Sequence, residues 1–398
     1  MKKRLTVLIF AGAAAFFVHA QDRNGAAGMD AAGTNTVGVH TVTARRYELI
    51  AGSSGPDTEA LQRELELRFD IYNRLFRFDP SSISLPLKVR LFRDKETYDG
   101  YVSARLGTPR EGAVYLHYNQ SERRELVIHL GSPEAARMIP AQAFLQYFRA
   151  FIPSPPAWMK EGFTVYFSTL AAETGTGELS YKENLAWLET VKSLGKIDLQ
   201  RVLMADEGEP PPHLQPLSWS LVSFLLNSGS EDYFRSLTDS FMLLSPGAAA
   251  AENAEAVRKR LYLWASPEAV QEDYLAYLAS RRTFAELIEA GQRSYAEGDP
   301  SAAESCFYEA LEQRPNHYAP YYYLGLLAYE KQGYDTAEQY YRSALQYGAD
   351  PALVQYALGL NAAAAGKKSE AAGFLEAAAA AAPERYRNRV RELLGRLK

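Results

Sequence analysis

Four columns of residues recur every 34 positions near the C-terminal end of the chain. Gly291, Gly325 and Gly359 form the first, and Ala303, Ala337 and Ala371 the second. Phe307, Tyr341 and Leu375 form the third, and Ala310, Ala344 and Ala378 the fourth. Pro315 and Pro383 stand two periods apart. A period of this size marks a supersecondary unit too small to bury its own apolar face, so neighbouring units must stack. Each unit reads as two helices. The first carries the small residue that lets the helices approach closely. A glycine-bearing turn follows, at Gly298, Gly333 and Gly366, and the second helix carries the alanine and aromatic columns. The units span 284–317, 318–351 and 352–385, and residues 386–398 follow as a capping helix. That last helix is amphipathic: Tyr386, Val390, Leu393, Leu394 and Leu397 share one side, and Arg385, Arg387, Arg389, Arg391 and Arg396 dominate the other. It reads either as a solvating cap on the array or as a basic docking helix.

This pattern resembles the tetratricopeptide repeat. The resemblance implies an all-α solenoid whose first helices line a concave, peptide-binding face. Transferred residue by residue, that face holds Gln292, Tyr295, Tyr322, Leu326, Tyr329, Tyr356 and Leu360. It is aromatic and apolar, and it lacks the Lys, Arg and Asn set with which chaperone-binding members clamp a peptide C-terminus. Aromatic rings offer large contact area at low entropic cost, which suits a protein or peptide partner. Packing of several of these tyrosines against the preceding domain is the competing reading.

The preceding segment mixes strands and helices. Alternation and apolar spacing predict strands over 41–49, 87–92, 112–118 and 125–130, with a turn at 53–56. Helices are predicted over 58–76, 95–106 and 133–151, the last opened by Pro133 in its first turn. The stretch from Pro153 through Trp158, Glu161, Gly162 and Tyr166 then begins another helix. Its order resembles the Pro-x-Trp-x-x-Glu-Gly-x-x-x-Tyr signature of gluzincin-type metallopeptidases, the peptidase MA-like group. In that group an upstream helix bears His-Glu-x-x-His and the downstream glutamate is the third zinc ligand. The chemistry needs two histidines one helical turn apart, a glutamate to polarise the water, and the third ligand. Here the matching upstream positions read Gln142, Ala143 and Gln146. Glutamine is a poor zinc ligand and alanine is no base, so only Glu161 is retained. The segment 218–225 and a helical tail over 254–279 also fit the group, so the resemblance covers roughly 42–280. It implies an inactive, pseudopeptidase domain at 41–283. Glu161 is then expected to cap the helix that begins near it, by the macrodipole argument. The alternative is a zinc metallopeptidase with a non-standard site built on Glu161 with His117 or His129.

Composition excludes several other classes. The chain has 398 residues, 43 basic against 48 acidic, and a net charge of -5, which opposes nucleic-acid binding by bulk charge. One cysteine, Cys306, leaves no internal disulfide and no multi-cysteine zinc site. No two of the six histidines lie three to five residues apart. There is no phosphate-binding glycine loop, no Gly-x-Ser-x-Gly elbow and no Cys/His nucleophile pair. The run Asp206-Glu207-Gly208-Glu209, ahead of three prolines, reads as a solvated loop, and 174–178 as a Gly/Thr loop. Lys2, Lys3 and Arg4 precede an apolar stretch over 5–18, and small residues lead to Gln21. Basic, apolar, small is the order of a secretory signal peptide over 1–20, too short in its apolar part to span a membrane. A flexible leader over 21–40 follows. The expected protein is therefore exported, periplasmic or secreted. It has an α+β metallopeptidase-like domain followed by an all-α tetratricopeptide solenoid. It needs no cofactor and has no transmembrane segment in its mature chain. Its expected role is non-enzymatic protein–protein interaction or scaffolding in the bacterial envelope.

Overall fold

The computed structural model describes residues 40–43, 45–53, 55–83, 86–172, 179–181, 183 and 185–397. The signal peptide read at 1–20, the leader up to residue 39 and the loop at 174–178 lie outside them. The chain divides between Leu278 and Ala279 into two compact units. Among the described residues no helix is long and apolar enough to cross a membrane.

The first unit opens with strands β1 (His40–Thr43) and β2 (Tyr47–Ala51), which pair antiparallel. A single strand over 41–49 was the expectation, and His40 was placed in the leader. The chain instead turns back at Arg45 and Arg46. The Arg46 amide donates to Glu66 Oε1 at 2.8 Å, and its guanidinium reaches Glu66 at 2.9 Å and Asp70 at 2.7 Å. An amide held by a helix carboxylate cannot continue a strand ladder, so the strand breaks there. Helix α1 (Pro56–Phe76), strand β3 (Leu87–Phe92), helix α2 (Lys95–Leu106), strands β4 (Ala113–Leu116) and β5 (Glu125–His129) and helix α3 (Pro133–Phe151) follow. The sheet order is β1-β2-β3-β5-β4. β3 lies parallel to β2 and to β5, and β4 closes the edge antiparallel to β5.

Strand β3 alternates buried and half-buried residues, whereas the first four residues of β5 are all buried. The reason is cover on both faces. Leu126 and Ile128 share a core with α1 and α3, and Val127 packs with Tyr98 and Val102 of α2. Parallel strands under helices on both sides read as continuous apolar runs. The centre of the unit is aromatic. Phe76 has ring neighbours in Phe144, Tyr147, Phe148, Phe163 and Phe241, at 4.3 to 6.0 Å between centroids.

Beyond the sheet come α4 (Ala157–Ser168), the ribbon β6 (Leu170–Ala172) with β7 (Leu179–Tyr181), α5 (Ala186–Ser193), α6 (Leu199–Leu203) and α7 (Leu214–Asn227). Helices α8 (Glu231–Phe241), α9 (Ala250–Leu261) and α10 (Pro267–Ser280) complete the segment. The single helical tail expected over 254–279 is two helices. Pro267 lacks the amide a continuing helix needs, and the Ser266 hydroxyl caps α10 by accepting from the Ala269 amide at 3.2 Å. Helices α4 and α7 meet closely at Gly162: a Cβ there would lie 2.4 Å from the Ser218 carbonyl oxygen.

The second unit is three helix pairs and a final helix. The pairs are α11 (Phe284–Ala296) with α12 (Pro300–Gln313), α13 (Tyr318–Glu330) with α14 (Tyr334–Gln346), and α15 (Pro351–Ala364) with α16 (Lys368–Ala381). The recurring columns are their internal interlock. A Cβ on Gly291, Gly325 or Gly359 would lie 2.6, 2.5 or 2.7 Å from Phe307, Tyr341 or Leu375 respectively. All six alanines of the other two columns are fully buried. The turns differ in one detail. Gly298 and Gly366 adopt φ of 77° and 78°, but the matching position in the middle pair is Gln332, at φ 60°. Gly333, expected to serve that turn, is one residue late with φ −83°. Helix α17 (Pro383–Leu397) begins before residue 386 because proline suits a first helical turn. It buries Tyr386 and Val390 against α15 and α16 residues, with Leu393, Leu394 and Leu397 beside them. Its apolar side is therefore consumed in capping the last pair.

Candidate functional site

In the first unit, α3 begins at the Ser132 cap and runs through Pro140 because Ala143, Phe144, Tyr147 and Phe148 are all buried. Its two glutamines turn toward the sheet. Gln142 Oε1 accepts the outward-facing amide of Tyr115 on edge strand β4 at 2.8 Å. Gln146, 2% exposed, donates from Nε2 to the Lys88 carbonyl on β3 at 2.7 Å, and its Oε1 has no hydrogen-bond partner. An edge strand offers unpaired amides to a passing chain. Gln142 occupies the Tyr115 amide, and the Ala113 amide is taken by the Glu111 carbonyl at 2.7 Å. Ala143 is fully buried between these glutamines and the aromatic core.

Glu161 lies elsewhere. It is the fifth residue of α4, whose N-cap is Pro156 without a side-chain cap, so the helix-capping role expected of Glu161 is not the one it has. Its Oε1 pairs with Lys160 Nζ at 3.1 Å, and its Oε2 accepts from Gln215 of α7 at 3.4 Å. No hydrogen bond or ion pair joins Glu161 to Gln142 or Gln146 among the described residues. His129 is also apart: its ring stacks on Tyr98 of α2 at 5.5 Å. No group of three His, Cys, Asp or Glu side chains is disposed to hold a metal among the described residues.

What does gather around Glu161 is a charged cleft of about 320 Å³, lined by Ala157, Lys160, Glu161, Glu207, Pro210, Leu214 and Gln215. The run 206–209 was expected to be solvated. All four residues are exposed, as expected, but the Glu207 carboxylate is held between two cations. Arg149 Nη2 approaches Glu207 Oε1 at 3.0 Å, and Lys160 Nζ approaches the same oxygen at 2.9 Å. The two cations keep the Glu207 carboxyl below the usual carboxylate range, although burial acts the other way and is the largest single influence. Arg149 and Lys160 escaped notice in the sequence, and Glu207 was read only as part of a solvated loop. Lys160 stands inside the signature segment, but nothing in the spacing links it to the other two. A larger depression along α2, between Asp94 and Ser103, has walls from one helix and its cap, and it encloses nothing.

His117, just beyond β4, belongs to this electrostatic neighbourhood. Burial pushes its pKa down to about 4, and Arg149, Arg124 and Lys160 push the same way against Glu207. Its Nδ1 lies 3.4 Å from the Tyr115 hydroxyl. A base whose folded pKa is depressed binds fewer protons than its unfolded counterpart between about pH 4 and 6.5. Stability is therefore complete above pH 6.5 and falls as the pH drops toward 4. Discounted for partial exposure, the loss should be on the order of 1–2 kcal/mol. His117→Gln should flatten that slope in urea titrations run from pH 4.5 to 7. An unchanged slope would mean that His117 is not the group responsible.

In the second unit the first helices of the pairs carry the expected aromatic set. Gln292 is exposed, and Tyr295, Tyr322, Leu326, Tyr329, Tyr356 and Leu360 are half-buried. Several are already engaged within the array. The Tyr295 hydroxyl donates to Glu330 on the next first helix. Tyr322 meets Tyr323 and Tyr341 at 5.6 and 6.0 Å between ring centroids. Tyr356 stacks on Tyr386 of α17 at 4.7 Å. Leu326, Tyr329 and Leu360 keep part of their surface in solvent, and so do the engaged tyrosines. Comparison of the sequence with protein-family profiles and with curated protein sequences found no match.

Proposed function

We propose that the chain is an exported, non-catalytic binding protein of the bacterial envelope. In this reading the second unit is a tetratricopeptide array that presents its tyrosine-rich first helices to a protein or peptide. The first unit is a degenerate gluzincin-like domain that holds polypeptide without cutting it. The observation that supports the reading is the interlock of Gly291, Gly325 and Gly359 with Phe307, Tyr341 and Leu375 in successive helix pairs, whose first helices carry the half-buried Tyr295, Tyr322, Tyr329 and Tyr356. On the first unit, support comes from the use made of the motif positions. Gln142 and Gln146 bond to strand backbone, and Ala143 offers no base. Export rests on the order of residues 1–20.

The test is metal content and proteolysis together. Purified mature protein, dialysed and measured by mass spectrometry, should carry well under one zinc per chain, and casein should survive incubation with it. About one zinc per chain, lost in Glu161→Ala and accompanied by casein cleavage, would replace this reading with a peptidase.

A further inference from the structure

The cleft beside Glu161 holds an arrangement that neither a scaffold nor a peptidase requires. Arg149 of α3 and Lys160 of α4 are 15% and 16% exposed, and both point at one carboxylate supplied by a loop. That carboxylate, Glu207, is 41% exposed, and its neighbours from 206 to 210 lie in solvent. Glu207 is thus the residue of this exposed stretch whose carboxylate is tied to both cations. Lys160 also reaches Glu161 at 3.1 Å, so the two carboxylates share one cation, and burial pushes the pKa of the nearby His117 down to about 4. Arg124 also lowers the His117 pKa, and among the described residues its hydrogen bonds go to the carbonyls of Tyr118 at 2.7 Å, Asn119 at 3.2 Å and Arg149 at 3.4 Å. An open space of about 320 Å³ adjoins Lys160, Glu161 and Glu207.

We propose that Arg149 and Lys160 form a cradle for the carboxylate of a polypeptide ligand, terminal or side-chain, and that Glu207 is its internal stand-in. The incoming carboxylate takes the place of Glu207, the loop over 204–213 swings outward, and the ligand chain lies in the cleft beside Leu214 and Gln215. What the pair already holds sets the occupant: Arg149 and Lys160 reach one carboxylate oxygen at 3.0 and 2.9 Å, and a second carboxylate would meet the same two donors. Charge-assisted bonds from the half-buried Arg149 and Lys160 discriminate carboxylate from amide. Tethering gives Glu207 an effective concentration in the millimolar range, so the wild-type chain should bind weakly and the freed cradle more tightly. The inference rests on the reading that the first unit holds polypeptide.

The probes are fluorescein-labelled octapeptides of Ala, Gly and Ser in three forms: a free C-terminal carboxylate, a C-terminal amide, and the amide with one internal Glu. Binding to the full chain is read by polarisation in EDTA. Glu207→Gln should bind at least one carboxylate-bearing form ten-fold or more tighter than the wild type, and the neutral amide should gain nothing. Which form gains tells a terminal from a side-chain carboxylate. Adding Lys160→Gln should remove the gain. Without touching Glu207, Lys160→Gln in the otherwise wild-type chain should weaken the carboxylate form five-fold and leave the amide alone, which covers the case in which Glu207→Gln does not fold. No gain in either carboxylate form, or an equal gain for the neutral amide, overturns the proposal. Since EDTA removes zinc, casein cleavage in the earlier test would sink the function proposed above and leave this result standing. A failed carboxylate form would leave that function untouched.

Discussion

Gly162→Ala should cost the first unit about 3 kcal/mol or prevent it from folding, although it adds a single methyl group. The new Cβ would sit 2.4 Å from the Ser218 carbonyl oxygen, 2.8 Å from the Ser218 carbonyl carbon and 2.8 Å from Val222 Cγ2. Two of those three atoms are backbone, so no side chain can rotate away and α4 must separate from α7. Overpacking of this kind costs about 1–3 kcal/mol, and more where helices must shift. The clash also spreads, because α7 is buried along most of its length, including Trp219, Val222 and Phe224. The control is Gly100→Ala on α2, where nothing lies within 4 Å of the new Cβ. There the loss of backbone freedom in the unfolded chain should leave stability unchanged or raise it by up to about 1 kcal/mol. Urea denaturation of the two variants separates the cases. A Gly162→Ala protein within 0.5 kcal/mol of wild type, roughly the scatter of surface changes, would mean that α4 and α7 do not meet as closely as described.

Tyr341→Ala should be the most damaging single change in the repeat array, at about 3–5 kcal/mol. The ring is 1% exposed and fills the hollow that Gly325 leaves on the facing helix. Truncation opens a cavity between α13 and α14, and a repeat array has no distant contacts to compensate, since each unit touches only its neighbours. Tyr341→Leu should be much milder, about 1–2 kcal/mol by the smaller volume lost. The same column holds Leu375 against Gly359 in the next pair, so leucine is already a working solution there. Hydrogen exchange should show the alanine variant losing protection along α13, α14 and α15. Equal protection in the two variants would show that the column is filler and not the interlock.

Much of the fold was legible because its signals are local. Helices α2 and α3 and strand β3 begin and end at the expected residues, each bounded by a cap, a turn or a proline. Asp94 accepts from the Thr97 amide at the start of α2, and Gly107 closes it in the left-handed region. Pro140 inside α3 costs a backbone hydrogen bond, but the dense apolar spacing around it outweighed that cost in the sequence as it does in the fold. The errors fall where a distant partner overrides a local pattern. The strand expected over 41–49 breaks because Glu66 and Asp70, on a helix still to come, capture Arg46. Gly333 looked like the turn residue because glycine is the usual left-handed choice, yet the helix ends select its neighbour Gln332.

By itself, then, the sequence determined the repeat, its period, the cap that follows it and most elements of the first unit. Periodicity and stacking between adjacent units are short-range effects, written into consecutive residues. The candidate site was decided by tertiary structure alone. Arg149 and Glu207 are 58 positions apart, and their pairing leaves no period, motif or composition bias to read. The motif positions Gln142, Ala143 and Gln146 were legible as departures from a signature. Their present bonds to β3 and β4 were not, because a glutamine side chain takes whichever backbone partner the packing of a helix on a sheet brings within reach.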